Sequence, residues 1–90
     1  MYRIWILDDE PVFLKGLHEK IAAQFSDVRI RLFSSADQVP CALEEAGAPD
    51  ILFMDIELGR TNGISLADMI CAASNFTTKV IYFTAYGMRL

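Results

Sequence analysis

The stretch that decides the fold is Tyr2–Leu7, with the sequence YRIWIL, followed at once by Asp8-Asp9-Glu10-Pro11. Its apolar side chains and strand-forming residues predict a buried β-strand that is followed directly by acidic residues. A second apolar run, Ile51–Met54, lies between Pro49-Asp50 and Asp55. This run predicts a central strand that is covered on both faces. The chain therefore contains two predicted buried strands that each end at aspartate.

The segment after the first strand is typical of an amphipathic helix. Pro11 suits the first turn of a helix, where its missing N–H is not needed. The apolar positions then recur at three- and four-residue spacing, at Leu14, Leu17, Ile21 and Phe25. Gly16 costs such a helix about 1 kcal/mol relative to alanine, so we expect close packing at that position.

The remaining segments continue the alternation of strands and helices. Val28–Phe33 has a period of two and predicts an edge strand with one face partly in water. A short helix should run to about Glu45 and stop at Gly47. A third helix should be capped by Asn62, and Val80–Phe83 predicts a fourth strand. The inner stripe of the third helix is predicted at Ile64, Ala67, Ile70 and Cys71. Such an order favours a parallel sheet with right-handed crossovers.

The composition argues against several classes of protein. With 53% hydrophobic and 22% charged residues, the 90-residue chain is expected to form one globular domain. Its net charge of −4, without a basic cluster beyond Arg29 and Arg31, argues against direct binding to nucleic acid. Its apolar runs of about four or five residues fall far short of the roughly 20 that cross a bilayer. The N-terminus has no signal-peptide pattern. We therefore expect a cytoplasmic protein that does not contact membranes.

Four single residues invite a functional role but are better explained by packing. Cys41 and Cys71 have neither CxxC spacing nor a nearby histidine, so we expect buried free thiols rather than a metal or redox site. His18 lies on the first predicted helix between core positions, and we expect no catalytic role for it. Trp5 in the first strand is expected to pack in the core.

Three carboxylates, Asp8, Asp9 and Asp55, fall at the carboxyl ends of the predicted buried strands. In an open α/β sheet this edge holds the ligand crevice, at the point where the strand order reverses. If the two strands are neighbours, the carboxylates converge, and such a cluster is unfavourable away from water unless a cation neutralises it. Mg²⁺ suits the arrangement, because it takes oxygen ligands and combines one or two protein carboxylates with phosphate oxygens.

Asp55 is the candidate nucleophile, because it stands alone at its strand end. A carboxylate can attack phosphorus and form an aspartyl phosphate where a metal offsets the repulsion between the anions. The alternative for Asp8 or Asp9 is to cap the helix that begins near Pro11. Thr84 ends the fourth strand at the same edge, where its hydroxyl could donate to a phosphoryl oxygen or simply be that of an ordinary β-branched strand residue.

Together these residues resemble the receiver domain of bacterial two-component response regulators. The carriers of the resemblance are Ile6–Pro11, Phe53–Leu58 with Asn62-Gly63-Ile64, and Phe83–Tyr86. The sequence motifs Asp-Ile-Glu-Leu and Thr-Ala-Tyr look most like those of regulators with a LytTR-type DNA-binding domain. The resemblance covers residues 1–90 and implies an α/β fold, a flavodoxin-like doubly wound parallel sheet. We expect the domain to be incomplete at its C-terminus, with the first four strands and three helices but without the fifth strand and the fifth helix.

The resemblance also implies a role for each site residue. Asp55 would accept a phosphoryl group from the phosphohistidine of a sensor histidine kinase. Asp8, Asp9, Asp55 and the backbone carbonyl of Glu57 would hold Mg²⁺, Asp8 through water. Thr84 would be the switch hydroxyl that moves toward the phosphoryl group. The backbone amide of Ala85 would lie near that group.

Two departures from the family pattern affect these expectations. Gly59 stands where the family usually has proline, so we expect a more flexible loop after Asp55. The family's lysine at the end of the fifth strand, and the aromatic switch partner on that strand, are beyond the 90 residues. Without a fifth strand, Val80–Phe83 becomes an exposed edge, which predicts a homodimer or higher oligomer. The alternative is that the chain is a fragment of a longer regulator.

Three functions compete on these patterns. The first is a phospho-accepting signalling module, whose enzymatic activity is at most self-phosphorylation and slow autodephosphorylation. The second is a degenerate receiver that acts as a dimerisation or interaction module without phosphorylation. The third, a haloacid-dehalogenase-like phosphatase, is disfavoured because Glu57 stands where that family needs a second aspartate.

Overall fold

The computed structural model describes residues 1–55 and 63–83, which form one parallel sheet with helices on both faces. Strands and helices alternate along the chain as the sequence predicts. The elements are β1 (Tyr2–Leu7), α1 (Pro11–Gln24), β2 (Val28–Phe33), a 3-10 turn (Ala36–Gln38), α2 (Val39–Ala46), β3 (Ile51–Asp55), α3 (Gly63–Ala73) and β4 (Lys79–Phe83). Among these residues no helix combines the length and the apolar character that a membrane crossing requires.

The strands lie in the order β2-β1-β3-β4, and every neighbouring pair is parallel. This order is that of the first four strands of the flavodoxin-like doubly wound sheet. The chain passes from β1 outward to β2 and then returns to β3 on the other side of β1. The strand order therefore reverses between β1 and β3, which is where an open α/β sheet forms its ligand crevice. The prediction that β2 is an edge strand and β3 a central one is confirmed.

Two apolar cores hold the helices to the sheet, one on each face. On the first face, α2 and α3 pack against alternate residues of the strands, including the fully buried Trp5, Leu52 and Met54. On the second face, Leu14 and Ile21 of α1 pack against the other set of alternate residues, among them Ile4 and Ile6. Residues of β1 and β3 are thus covered on both sides, because successive side chains of a strand point to opposite faces. This double cover explains their continuous apolar sequences.

Three local expectations from the sequence are wrong. Phe25 lies just beyond the end of α1 and is 56% exposed, so it does not extend the inner stripe of the helix. A Cβ added at Gly16 would meet no atom within 4 Å, so close packing does not explain that glycine. Cys41 is exposed on α2 and Cys71 is only half-buried, so neither is the buried thiol that we expected. Ala67 and Ile70 of α3 are buried as predicted, and Leu66 joins them.

Candidate metal and phosphoryl site

The acidic residues after β1 and at the end of β3 meet at one edge of the sheet. The register pairs Leu7 of β1 with Met54 of β3, so the following residues, Asp8 and Asp55, also lie side by side. One carboxylate oxygen from each of Asp8, Asp9 and Asp55 lies within 4.8 Å of the other two. The predicted convergence of the three carboxylates is confirmed.

The three carboxylates differ in their access to water. Asp8 is 3% exposed and Asp55 is 5% exposed, whereas Asp9 is exposed. Acidic side chains are rarely buried to that degree without a partner. Two of the three are therefore shielded from the solvent that would otherwise screen their mutual repulsion.

The pKa of Asp8 reflects its burial and its acidic neighbours. Burial raises the pKa of Asp8 from its ordinary value of 3.8 to about 6. The main-chain N–H of Glu10 donates to Asp8 Oδ1 at 3.1 Å and opposes the rise. The charge of Asp55 and side-chain hydrogen bonds with Asp55 and Asp9 raise the pKa further. Without a cation, the cluster therefore retains a proton under mildly acidic conditions.

The alternative role of Asp8 and Asp9 as helix caps is not what the structure shows. The residue at the N-cap position of α1 is Glu10, and its side chain makes no capping hydrogen bond. Asp8 accepts its hydrogen bond from Glu10 itself, one position before the helix begins. This bond fixes the turn between β1 and α1, and so holds the carboxylate of Asp8 at the edge of the sheet.

The donor set fits the chemistry of Mg²⁺. All three groups offer carboxylate oxygen, the ligand type that this ion prefers. A divalent cation would offset the burial and the repulsion that raise the pKa of Asp8, and would favour the ionised form of each carboxylate. The exposed side of the cluster at Asp9 leaves room for water ligands, several of which Mg²⁺ usually keeps.

Five other residues with a predicted role lie outside the described residues. These are Asn62, the expected cap of α3, Gly59, expected to make its loop more flexible, and the three expected site residues Glu57, Thr84 and Ala85. Their roles stay predictions. Of the predicted site, the structure places Asp8, Asp9 and Asp55.

One neighbour of the site escaped the sequence interpretation. Phe13 in the first turn of α1 and Phe83 at the end of β4 stack in a tilted pair, with ring centroids 4.8 Å apart. The register aligns Phe83 with Asp55. The two phenylalanines are 70 residues apart in sequence, and no motif links them. The strand register, once assigned, would have placed Phe83 beside Asp55.

Comparison with protein families and curated proteins places this geometry in a known group. The family model described as the response regulator receiver domain matches residues 4–89. The sensory transduction protein LytT of Bacillus cereus is 32% identical over 91 residues, covering 96% of this chain and 34% of that protein. An uncharacterised response regulatory protein of Yersinia pestis is 30% identical over 86 residues, covering 96% of this chain and 35% of that protein. The likeness to LytT agrees with the predicted resemblance to LytTR-type regulators.

Solved structures show the same fold. The BeF3-activated receiver domain of DrrB superposes with a TM-score of 0.75 and 25% identity, covering 93% of this chain and 66% of that one. The receiver domain of a DNA-binding response regulator (merR) from Colwellia psychrerythraea has a TM-score of 0.79 at 20% identity, covering 93% of this chain and 68% of that one. The chain spans about a third of the length of the curated relatives that it matches. By its matched family model, its relatives and its sheet topology, the chain belongs to the receiver domain family of response regulators.

Proposed function

We propose that this receiver domain accepts a phosphoryl group on Asp55 from the phosphohistidine of a sensor histidine kinase, with Mg²⁺ as cofactor. Asp8, Asp9 and Asp55 would hold the ion. The observation that carries the proposal is the approach of these three carboxylates to within 4.8 Å, with Asp8 and Asp55 almost fully buried. Such a cluster is suited to binding a cation and positioning one carboxylate as a nucleophile.

The transfer itself needs little covalent chemistry from the protein. A carboxylate oxygen of Asp55 forms a bond to phosphorus, while the P–N bond of the phosphohistidine breaks and its electron pair stays on the imidazole. When bound, Mg²⁺ offsets the repulsion between the carboxylate and the phosphoryl oxygens. Water later attacks the phosphorus, and the bond to Asp55 breaks with release of inorganic phosphate. The proposed enzymatic activity of the chain is therefore at most its own phosphorylation and slow dephosphorylation.

Three residues outside the described part of the chain complete the proposal. The backbone carbonyl of Glu57 would be a further ligand of Mg²⁺. The hydroxyl of Thr84 would donate to a phosphoryl oxygen and so report phosphorylation. The backbone amide of Ala85 would lie near the same oxygens. These roles rest on the match of the chain to the family.

Mass spectrometry after incubation with acetyl phosphate and Mg²⁺ tests the proposal. Asp55 would attack the phosphorus, and the P–O bond to acetate would break with its electron pair on the leaving acetate. We expect wild type to gain the mass of one phosphoryl group, and Asp55→Asn to gain none. The matched control is Asp68→Asn, because Asp68 is an exposed aspartate on α3 that is not part of the three-carboxylate cluster.

The same experiment separates the phospho-accepting module from the degenerate receiver that acts without phosphorylation. A wild-type chain that binds Mg²⁺ but never gains the adduct would favour the degenerate receiver that acts only by interaction. An adduct that persists in Asp55→Asn would mean that another residue is the acceptor. Both results would overturn the proposal.

We also propose that β4 pairs with a second copy of the chain. Within the described residues β4 pairs with β3 alone, and its Ile81 and Tyr82 are 46% and 43% exposed. The opposite edge, β2, presents the exposed charges of Arg29 and Arg31. Charged side chains protect an edge strand from pairing, whereas exposed apolar ones favour it. The contrast makes β4 the better candidate for an interface.

Light scattering after size-exclusion chromatography tests this pairing. We expect wild type to elute as a dimer or larger, and Ile81→Lys to shift toward monomer. Leu32→Lys is the matched control, because Leu32 is a comparably exposed apolar residue on β2. A monomeric wild type at high concentration would refute the pairing.

The expected cytoplasmic location, and the expected lack of direct contact with nucleic acid or membrane, stay predictions.

A further inference from the structure

Three side chains stand in a row on the α1 face of the sheet, at the edge that carries the site. Asp8 follows β1, Asp55 ends β3 and Phe83 ends β4, and the register aligns Asp55 with Phe83. Residues aligned in a parallel pair point to the same face. In the order of the strands, Asp55 therefore lies between Asp8 on the β1 side and Phe83 on the β4 side.

The ring of Phe83 is braced by α1. Phe13 lies half-buried in the first turn of this helix, and its ring stacks on Phe83 with a 4.8 Å centroid distance and a 34° angle between planes. Phe83 is 9% exposed. Aromatic pairs of this geometry are favourable beyond the area that they bury. The segment that carries Asp8 and Asp9 thus continues directly into the helix that supports the far side of Asp55.

Farther along the same face, α1 and β4 are separated. An apolar groove of about 310 Å³ lies there, lined by Ile21 and Phe25 on the helix side and by residues of all four strands, among them Phe53 and Ile81. Neither Phe13 nor Phe83 lines this groove, so the ring pair is a separate contact at the site edge of the sheet.

We propose that Phe13 is a positioning residue for phosphoryl transfer to Asp55, acting through its ring contact with Phe83. This inference rests on the proposed function. The register places Phe83 beside Asp55, and its ring, which has no strong hydrogen-bonding group, would limit the orientations in which the attacking oxygen of Asp55 approaches phosphorus. Phosphoryl transfer depends mainly on positioning, and a displacement of about 1 Å can cost about a hundredfold in rate.

The test compares phosphorylation rate with metal affinity in the full chain. At saturating Mg²⁺, Phe13→Ala should slow the formation of the acetyl phosphate adduct on Asp55 about tenfold. Its affinity for Mg²⁺ should stay within about twofold of wild type, because the three carboxylates are untouched. Phe13→Tyr keeps the ring and should restore the rate. Phe13→Leu preserves apolar volume without a ring, and it replaces the alanine variant if circular dichroism shows that variant to be unfolded.

Val12→Ala is the matched control, because Val12 is the preceding residue of the same turn and is 82% exposed. Its rate should equal that of wild type. The inference alone is overturned if wild type is phosphorylated and the folded variant, Phe13→Ala or its replacement Phe13→Leu, reacts at the wild-type rate. It is also overturned if Phe13→Ala loses Mg²⁺ affinity in proportion to rate, since the ring pair would then merely support the pocket. A wild type that never forms the adduct refutes the proposed function, and this inference with it.

Discussion

Arg3 and Asp50 bind each other reciprocally at the amino end of the sheet. The main-chain N–H of Arg3 donates to Asp50 Oδ2 at 2.8 Å, and the main-chain N–H of Asp50 donates to the carbonyl of Arg3 at 2.9 Å. The guanidinium of Arg3 also donates to the carbonyls of Ala48 and Gly47, at 2.8 and 3.1 Å. One side chain of β1 thus closes the loop between α2 and β3, at the opposite end of the sheet from the acidic site.

Replacing Arg3 should therefore affect stability and leave the site intact. Arg3→Ala removes two charge-assisted hydrogen bonds to exposed or half-buried carbonyls, and should lower the free energy of unfolding by about 1 to 2 kcal/mol. Urea denaturation measures the change, and isothermal titration with Mg²⁺ should give an unchanged affinity. Arg29→Ala, at an exposed arginine on β2, is the control and should change stability by less than about 0.5 kcal/mol. Equal losses in the two variants would contradict a special role for Arg3.

Asp8 should make the metal-free protein less stable as the pH rises. Its pKa is about 6 in the folded state and 3.8 as the ordinary value, so the folded state binds the proton more tightly. The contribution of this group to stability is fully present below about pH 4 and is lost as the pH rises through about 6. The loss is at most about 3 kcal/mol. Urea denaturation in the presence of a chelator, from about pH 4 to about pH 7, should show it as the difference between wild type and Asp8→Asn.

Mg²⁺ should reverse this trend, because it binds the ionised carboxylates. Stabilisation by a ligand that binds only the folded state grows with its concentration relative to the dissociation constant. We expect added Mg²⁺ to raise the melting temperature more at about pH 7 than at about pH 5, where protons compete for the site. An equal rise at both pH values would indicate that the ion binds elsewhere.

Substitution of Asp8 should separate stability from metal binding. Asp8→Asn can keep the hydrogen bond from Glu10 through its side-chain carbonyl, while it removes a buried charge beside Asp55. Without metal near pH 7 it should raise the free energy of unfolding by about 1 to 3 kcal/mol. Asp9→Asn is the matched control, because Asp9 is exposed and should give a smaller gain. Both variants should bind Mg²⁺ more weakly in a calorimetric titration, and a less stable Asp8→Asn would argue against the repulsion.

From the sequence, the ends of the predicted strands were enough to identify which acidic residues meet at the site. Two buried strands that end in acid are visible as apolar runs followed by Asp8 and Asp55, and their adjacency follows from the strand order that βαβ units produce. The shift in the pKa of Asp8 could not be predicted, since it depends on burial and on the hydrogen bond from Glu10. Motifs specify which groups meet, and packing then decides their protonation.

Two residues that the sequence interpretation misplaced or missed lie at the borders of the buried stripe of α1. Phe25 fits the apolar spacing of α1, but the helix ends at Gln24 and the chain turns there. Phe13 stands beside the predicted stripe and was overlooked, although its ring reaches Phe83 across the sheet edge. Periodicity locates the centre of a buried stripe well. Its borders depend on tertiary contacts that separate segments of the chain supply.

The two glycines whose surroundings the structure describes should respond to alanine in opposite ways. Gly16 lies inside α1, and a Cβ there would meet no atom within 4 Å. Gly16→Ala should raise the free energy of unfolding by about 0.5 to 1 kcal/mol, because alanine favours the helix and restricts the unfolded chain. Gly47 ends α2 with φ of +75°, a conformation that a side chain strains, so Gly47→Ala should lower it by about 1 kcal/mol despite the open space around it. Urea denaturation of both variants checks the signs, and a loss of stability in Gly16→Ala would show that the expected close packing exists after all.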